Sequence, residues 1–170
     1  MMTEWLDIVD ENDQVVGRDS RTNIHASGAY HRSSHILLYN TCGEIFVQLR
    51  SAMKDSGAGL WDSSAAGHLD SGETYEKCAI RELHEELGVL VDTSKLVALD
   101  KLHPDESNGF EFSCIYRVCS DQPLVLQPEE IDAGSWVTPS VLDRWIAKDP
   151  EKFTAVFKSI WRLANAQAPS

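Results

Sequence analysis

The chain has 170 residues, 42% apolar and 25% charged, the balance of one globular domain and not of a fibrous, disordered or low-complexity chain. Fifteen basic residues against 27 acidic ones give a formal net charge of −12. Such a surface repels nucleic-acid backbones, anionic membranes and free phosphorylated metabolites unless a cation intervenes. The four cysteines, Cys42, Cys78, Cys114 and Cys119, make no C-x-x-C pair, which excludes a zinc ribbon or thioredoxin-type site and suits reduced thiols in a cytoplasm.

The stretch Met1 to Asp7 has neither the basic nor the apolar region of a secretory signal. No apolar run approaches the roughly 18 residues that span a bilayer, so a cytoplasmic location is expected. Apolar pairs on either side of Glu11-Asn12-Asp13 predict an N-terminal hairpin over about 4–18. Residues 18–30 are polar and read as loop. Ser34 to Tyr39 and Ile45 to Leu49, around Asn40-Thr41-Cys42-Gly43-Glu44, predict a second hairpin. Residues 51–59 read as loop, and a short strand follows near Trp61 to Ala65.

From Thr74 to Leu87 the apolar period becomes helical, with Ala79, Ile80, Leu83 and Leu87 on one stripe and Gly88 at the C-terminal glycine position. Val97 to Leu102, Phe110 to Val118 and Ile131 to Val137 read as strands. Two C-terminal helices are expected within about 139–165, the second starting at Asp149-Pro150-Glu151, a cap residue followed by proline and an acid. Strands and helices mix without βαβ alternation. The expectation is a single α+β domain over 1–170, a mixed sheet with helices packed on its faces.

One helix carries the chemistry. With Arg81 at 0° and about 100° per residue, Glu85 lies near 40°, Glu82 near 100° and Glu86 near 140°. Three carboxylates crowd one face near the helix C-terminus, where the dipole also disfavours anions. A hard divalent cation with oxygen ligands relieves that repulsion. Gly67 would let the chain turn just before the helix, with its carbonyl free to face the same ion.

The segment from Gly67 to Val89 reads G-x5-E-x7-R-E-U-x-E-E-x-G-U, with U apolar, at every fixed position. Chance matching is on the order of 10⁻⁸ per start position. This is similar to the signature of the Nudix family. The resemblance implies a Nudix fold and a Mg²⁺-dependent hydrolase, with Mn²⁺ as the substitute ion, that splits a diphosphate linking a nucleoside to another group. By that resemblance Glu82, Glu85 and Glu86 hold metal with the Gly67 carbonyl, Glu82 and Glu85 are the catalytic candidates, Glu82 or a glutamate outside the box orients or deprotonates the attacking water, and Glu73 pairs with Arg81 to brace the loop. A carboxylate from outside the box is sought among Glu111, Glu129 and Glu130. The partner implied is a small nucleotide-type diphosphate, with no nucleic acid and no membrane; a homodimer is the candidate oligomer. Neither coenzyme A nor NADH signatures of the family are present, so the group attached to the diphosphate stays open.

Outside the box, Leu6 to Asp13, His31, Arg50-x3-Lys54 and Gly59-x-Trp61 resemble the branch that contains type I isopentenyl diphosphate isomerases. That resemblance implies that Arg50 and Lys54 grip a diphosphate, and Trp61 is read as a pocket wall beside the box. It also brings isomerase as a rival function. Yet Ala66 stands where the isomerases carry a catalytic cysteine, and alanine moves no proton. Their histidine-rich metal site is echoed by His25, His31, His68 and Glu111, with Gly109 where a second glutamate would fall. Taken singly, His31, His35 and His103 read as hydrogen-bonded sheet or loop residues, and Trp136 as core. A third reading is a nucleotide-binding module that has lost catalysis, which the complete box opposes.

Overall fold

The computed structural model describes residues 2–167; the expected domain limits at 1 and 170 lie outside that range. An N-terminal hairpin pairs β1 (Trp5–Val9) with β2 (Val15–Ser20) as a sheet of its own. The principal sheet is built on β3 (His31–Tyr39), which runs parallel to β8 (Glu111–Cys119) along its whole length. β7 (Val97–Leu102) closes that edge antiparallel to β8. On its other side β3 pairs with β6 (Ala65–His68).

β4 (Ile45–Arg50) meets β3 at Tyr39–Ile45 and then pairs with β5 (Trp61–Asp62) and β9 (Ile131–Val137). The sheet therefore splays where β3 and β4 part. The sheet is mixed and flanked by helices, as the composition of elements requires.

Alternation along β4 divides the two cores. Phe46 joins Ile36, Leu38, Ala65, Tyr116 and Val118 against the helix α2 (Tyr75–Leu87), which contributes Ala79, Leu83 and Leu87. Ile45 and Val47 face the opposite side. There they meet Leu142 of α3 (Pro139–Lys148) and Phe157, Ile160 and Trp161 of α4 (Ala155–Ala166). Leu83 and Leu87 are fully buried, a burial that stabilises by roughly 1.5–3 kcal/mol per side chain.

α2 begins where Thr74 accepts the Lys77 amide and ends where Gly88, at φ 70°, turns left-handed. It runs Tyr75–Leu87, with Thr74 as the cap that opens it.

Two expectations fail. Residues 18–30 are not loop: β2 continues to Ser20, whose hydroxyl caps α1 (Arg21–Ser27). Only Ile24 of this helix is buried, so it has no apolar period to read. Nor does a helix start at Asp149. Pro150–Lys152 form one 3-10 turn with no side-chain cap, and Thr154 caps α4 instead by accepting the Phe157 amide. Phe153 lies between them, buried and bridged to Trp61, and this anchor interrupts the helical path.

Candidate active site

Glu82 and Glu86 sit on the side of α2 that faces β6 and β4. The Glu82 carboxylate occupies the space a side chain at Gly67 would need; a Cβ built on Gly67 falls onto it. Glycine at this position is thus a requirement of close approach. The Gly67 carbonyl oxygen accepts a weak hydrogen bond from Cys78 Sγ at 3.4 Å. Glu86 is 3% exposed. Its Oε1 accepts the Ala66 amide at 3.1 Å and its Oε2 accepts Gln48 Nε2 at 2.8 Å. Glu85, next to them, is mostly in solvent.

Arg81 binds the whole group. Its Nε and Nη2 donate to the two oxygens of Glu73 at 2.9 Å each, its Nη2 also to the His68 carbonyl at 2.9 Å, and its Nη1 to Glu82 at 2.7 Å. Glu85 accepts from the same Nη1 at 3.3 Å. Burial pushes the Glu82 carboxyl above its ordinary range, and Glu86 and Glu85 add to this while Arg81 opposes it. Burial likewise pushes Glu86 up against its Gln48 and Ala66 hydrogen bonds, with Glu130 adding repulsion.

The segment after β8 completes the pocket. Val125 N donates to the Leu87 carbonyl and Gln127 N to that of Glu86, which lays the chain along the end of α2. Glu82, Glu85, Glu86, Gln127, Glu129 and Glu130 line a cavity of about 240 Å³. Glu130 is paired with Lys54. Of the outside carboxylates considered, Glu129 and Glu130 reach this pocket and Glu111 does not.

The remaining candidates separate. Arg50 Nε and Nη2 donate to the Ser56 carbonyl and Nη1 to Asp62 at 3.4 Å, so its contacts close the loop that follows β4. Lys54, on that loop, stands at the pocket rim. Trp61 is no wall of this pocket. It lies in the second core, 4.8 Å between ring centroids from Trp145, because β5 turns that side chain toward α3 and α4. Trp136 is only half-buried, packed against Phe46 at 5.4 Å between centroids. Gln48 was not singled out from the sequence. Its signal is a lone amide in the apolar run Ile45 to Leu49, on the face that meets α2.

A second cluster lies across β6. The ligand atoms of His25, His31, His68 and Glu111 all fall within 4.8 Å of one another. His31 Nδ1 meets the Ala29 carbonyl at 2.9 Å, while its buried Nε2 lies 3.4 Å from Glu111 Oε1. His31 is therefore more than a hydrogen-bonded sheet residue. His68 Nε2 lies 2.8 Å from Glu111 Oε1. Burial would raise the Glu111 carboxyl, but the imidazoles of His68 and His31 hold it well below its ordinary value. Burial and the neighbouring histidines push His25 down to about 4. Three imidazoles and a carboxylate are a donor set for a first-row divalent ion.

A family model described as a NUDIX domain matches residues 29–157. An uncharacterised Nudix hydrolase of Yersinia pestis is 33% identical over 163 residues, 95% of this chain and 87% of that protein. An isopentenyl-diphosphate Delta-isomerase of Serratia proteamaculans is 32% identical over 167 residues, 97% of this chain and 93% of that one. The crystal structure of DR0079 from Deinococcus radiodurans superposes with a TM-score of 0.72 at 33% identity, covering 85% of this chain and 90% of that one. The mixed sheet between helices is thus a fold this chain shares with a solved structure. The chain belongs to the Nudix family, as a Nudix-type pyrophosphohydrolase.

Proposed function

We propose that the protein is a divalent-metal-dependent hydrolase that cleaves the diphosphate bond of a nucleoside diphosphate joined to another group. One observation carries this reading: Glu82, Glu85 and Glu86 converge with Glu129 and Glu130 on one pocket, and burial pushes Glu82 and Glu86 toward their neutral forms. Five carboxylates held so close outnumber the cations beside them, Arg81 and Lys54, and hard oxygen donors suit Mg²⁺ or Mn²⁺. Glu82, Glu85 and Glu86 would hold the metal, with the Gly67 carbonyl close by. When bound, the metal neutralises phosphate oxygens and lowers the pKa of a coordinated water.

The chain's own groups do the rest. Gln48 and the Ala66 amide fix Glu86, and Arg81 fixes Glu82, so the acids are oriented before substrate arrives. Glu82 is placed to accept a proton from an attacking water. Lys54 offers a cation to the diphosphate at the rim, and Arg50 holds the loop that presents it. The test is a panel of nucleoside diphosphate derivatives with Mg²⁺ or Mn²⁺, scored by released phosphate and product mass. Turnover that survives exhaustive chelation would sink the mechanism.

A second reading has an observation in its favour. The histidine cluster and the isomerase relative both point to isopentenyl diphosphate isomerisation. Against it stands Ala66, whose methyl group can neither give nor take a proton. Incubation with isopentenyl diphosphate and Mg²⁺ is expected to yield no dimethylallyl diphosphate.

A further inference from the structure

Next to the acidic pocket lies a larger cavity that the hydrolytic chemistry does not use. Its volume is about 460 Å³, within the range of small-molecule sites. Phe46, Trp136, Leu124 and Leu126 form its walls, and Asn40 and Asp121 stand at its rim.

Its position follows from strand register. Phe46 and Gln48 lie two residues apart on the same face of β4, about 7 Å by strand geometry. Across the ladder Trp136 pairs with Phe46 and Gly134 with Gln48. The Phe46 ring leans over Gly134, so a Cβ there would fall inside it. That ring therefore lies over Gly134 of β9, the cross-strand partner of Gln48, whose amide holds the Glu86 carboxylate.

The segment after β8 joins the two cavities. Leu124 and Leu126 face the larger one, and Gln127, Glu129 and Glu130 face the acids. Hydrogen bonds hold the segment in place. Besides its bonds to the end of α2, Gln122 donates to the Leu90 carbonyl at 2.8 Å and accepts the Leu90 amide at 2.9 Å.

We propose that this slot holds the heterocyclic base of the nucleotide, stacked on Trp136 between Leu124 and Leu126, with Asp121 accepting from its N–H groups. The proposal rests on the nucleoside diphosphate reading above. Aromatic and aliphatic walls suit a planar ring, and Trp136 is the half-exposed aromatic that can meet it. The Asp121 carboxylate already accepts the Thr41 amide at 2.9 Å and hydroxyl at 2.6 Å, and it retains lone pairs but no donor. It therefore takes N–H donors of a base, and it repels an anionic group such as a sugar phosphate.

The test is equilibrium binding to full-length Glu82→Gln protein with Mg²⁺, titrating ADP, GDP, CDP, UDP and inorganic pyrophosphate. Each of the four nucleotides is expected to bind at least about tenfold more tightly than pyrophosphate, the size of one base–aromatic stack. Trp136→Leu, which keeps apolar bulk, is expected to erase that margin. Photo-crosslinking of the wild-type chain with an azido-purine diphosphate gives a second readout that needs no variant to fold. Label is expected within residues 121–136 or 40–46. Equal affinity for pyrophosphate and nucleotides, a margin untouched by Trp136→Leu, or label elsewhere would overturn the proposal. Wild-type protein that hydrolyses no diphosphate but shows the Trp136-dependent margin would overturn the hydrolase reading and leave the slot standing.

Discussion

Glu82 and Glu86 are separated by one helical turn, yet they are held by different parts of the fold. Glu82 lies over Gly67 under the grip of Arg81, and Glu86 is fixed by Gln48 and the Ala66 amide. Glu82→Gln and Glu86→Gln are each expected to cut kcat by about 10²–10³-fold, with circular dichroism unchanged. Glu76→Gln, exposed on the same helix and away from the pocket, is the control; equal losses at Glu76 and Glu82 would reduce the acidic face to a solvated surface. Gly67→Ala drives a methyl group into the Glu82 carboxylate and is expected to lower activity comparably while costing about 1–3 kcal/mol of stability. Because burial raises both carboxyls, the metal-free fold favours their protonated forms. Their contribution is present below the ordinary glutamate pKa of about 4.3 and is lost as pH rises through neutrality. His25, pushed down to about 4, gives a slope of opposite sign at acid pH. Subtracting the melting curves of the Glu82→Gln/Glu86→Gln protein from wild type in EDTA isolates the pair; a difference flat with pH would refute the burial argument. The angular arithmetic on Arg81, Glu82, Glu85 and Glu86 made the acid trio legible in the sequence. It could not show Gln48, whose role depends on β4 lying across from α2, a contact with no local signature; Lys54 was legible only through the family resemblance.

At the level of elements, legibility followed periodicity. α2 was readable because it has an apolar stripe, a threonine cap and a glycine stop. β9 was readable as an isolated strand. α1 was not, since a helix of seven residues with only Ile24 buried has no repeating face. The start of α4 was misplaced because Asp149-Pro150 has the composition of a helix start. Phe153, buried against Trp61, holds the chain out of helical path, and Thr154 does the capping. Thr154→Ala is accordingly expected to cost about 1 kcal/mol in denaturant unfolding without changing kcat. Asp149→Ala, which removes a partly exposed ion pair with Lys152 and no helix cap, should fall within about 0.5 kcal/mol. The reverse order would restore the helix start at Asp149. Trp61 shows the same limit: its neighbours on β5 were legible, but which face it presents was set by register with β4.

On the scale of the whole molecule, the strand β6 divides two sites. On one side Ala66 and Gly67 meet the carboxylates of α2; on the other, His68 joins His25, His31 and Glu111. Among the described residues, no helix is long and apolar enough to cross a membrane. On the proposed function, a chain of net charge −12 that gathers five glutamates around one pocket would take cations first and a phosphate only through them. The most direct test of that claim is the initial rate of hydrolysis of a nucleoside diphosphate derivative by the metal-stripped protein, before and after Mg²⁺ or Mn²⁺ is restored. The account predicts no turnover in EDTA, full recovery with metal, and loss of that recovery in Glu82→Gln. Equal rates with and without metal, or metal-dependent turnover undiminished in Glu82→Gln, would contradict it.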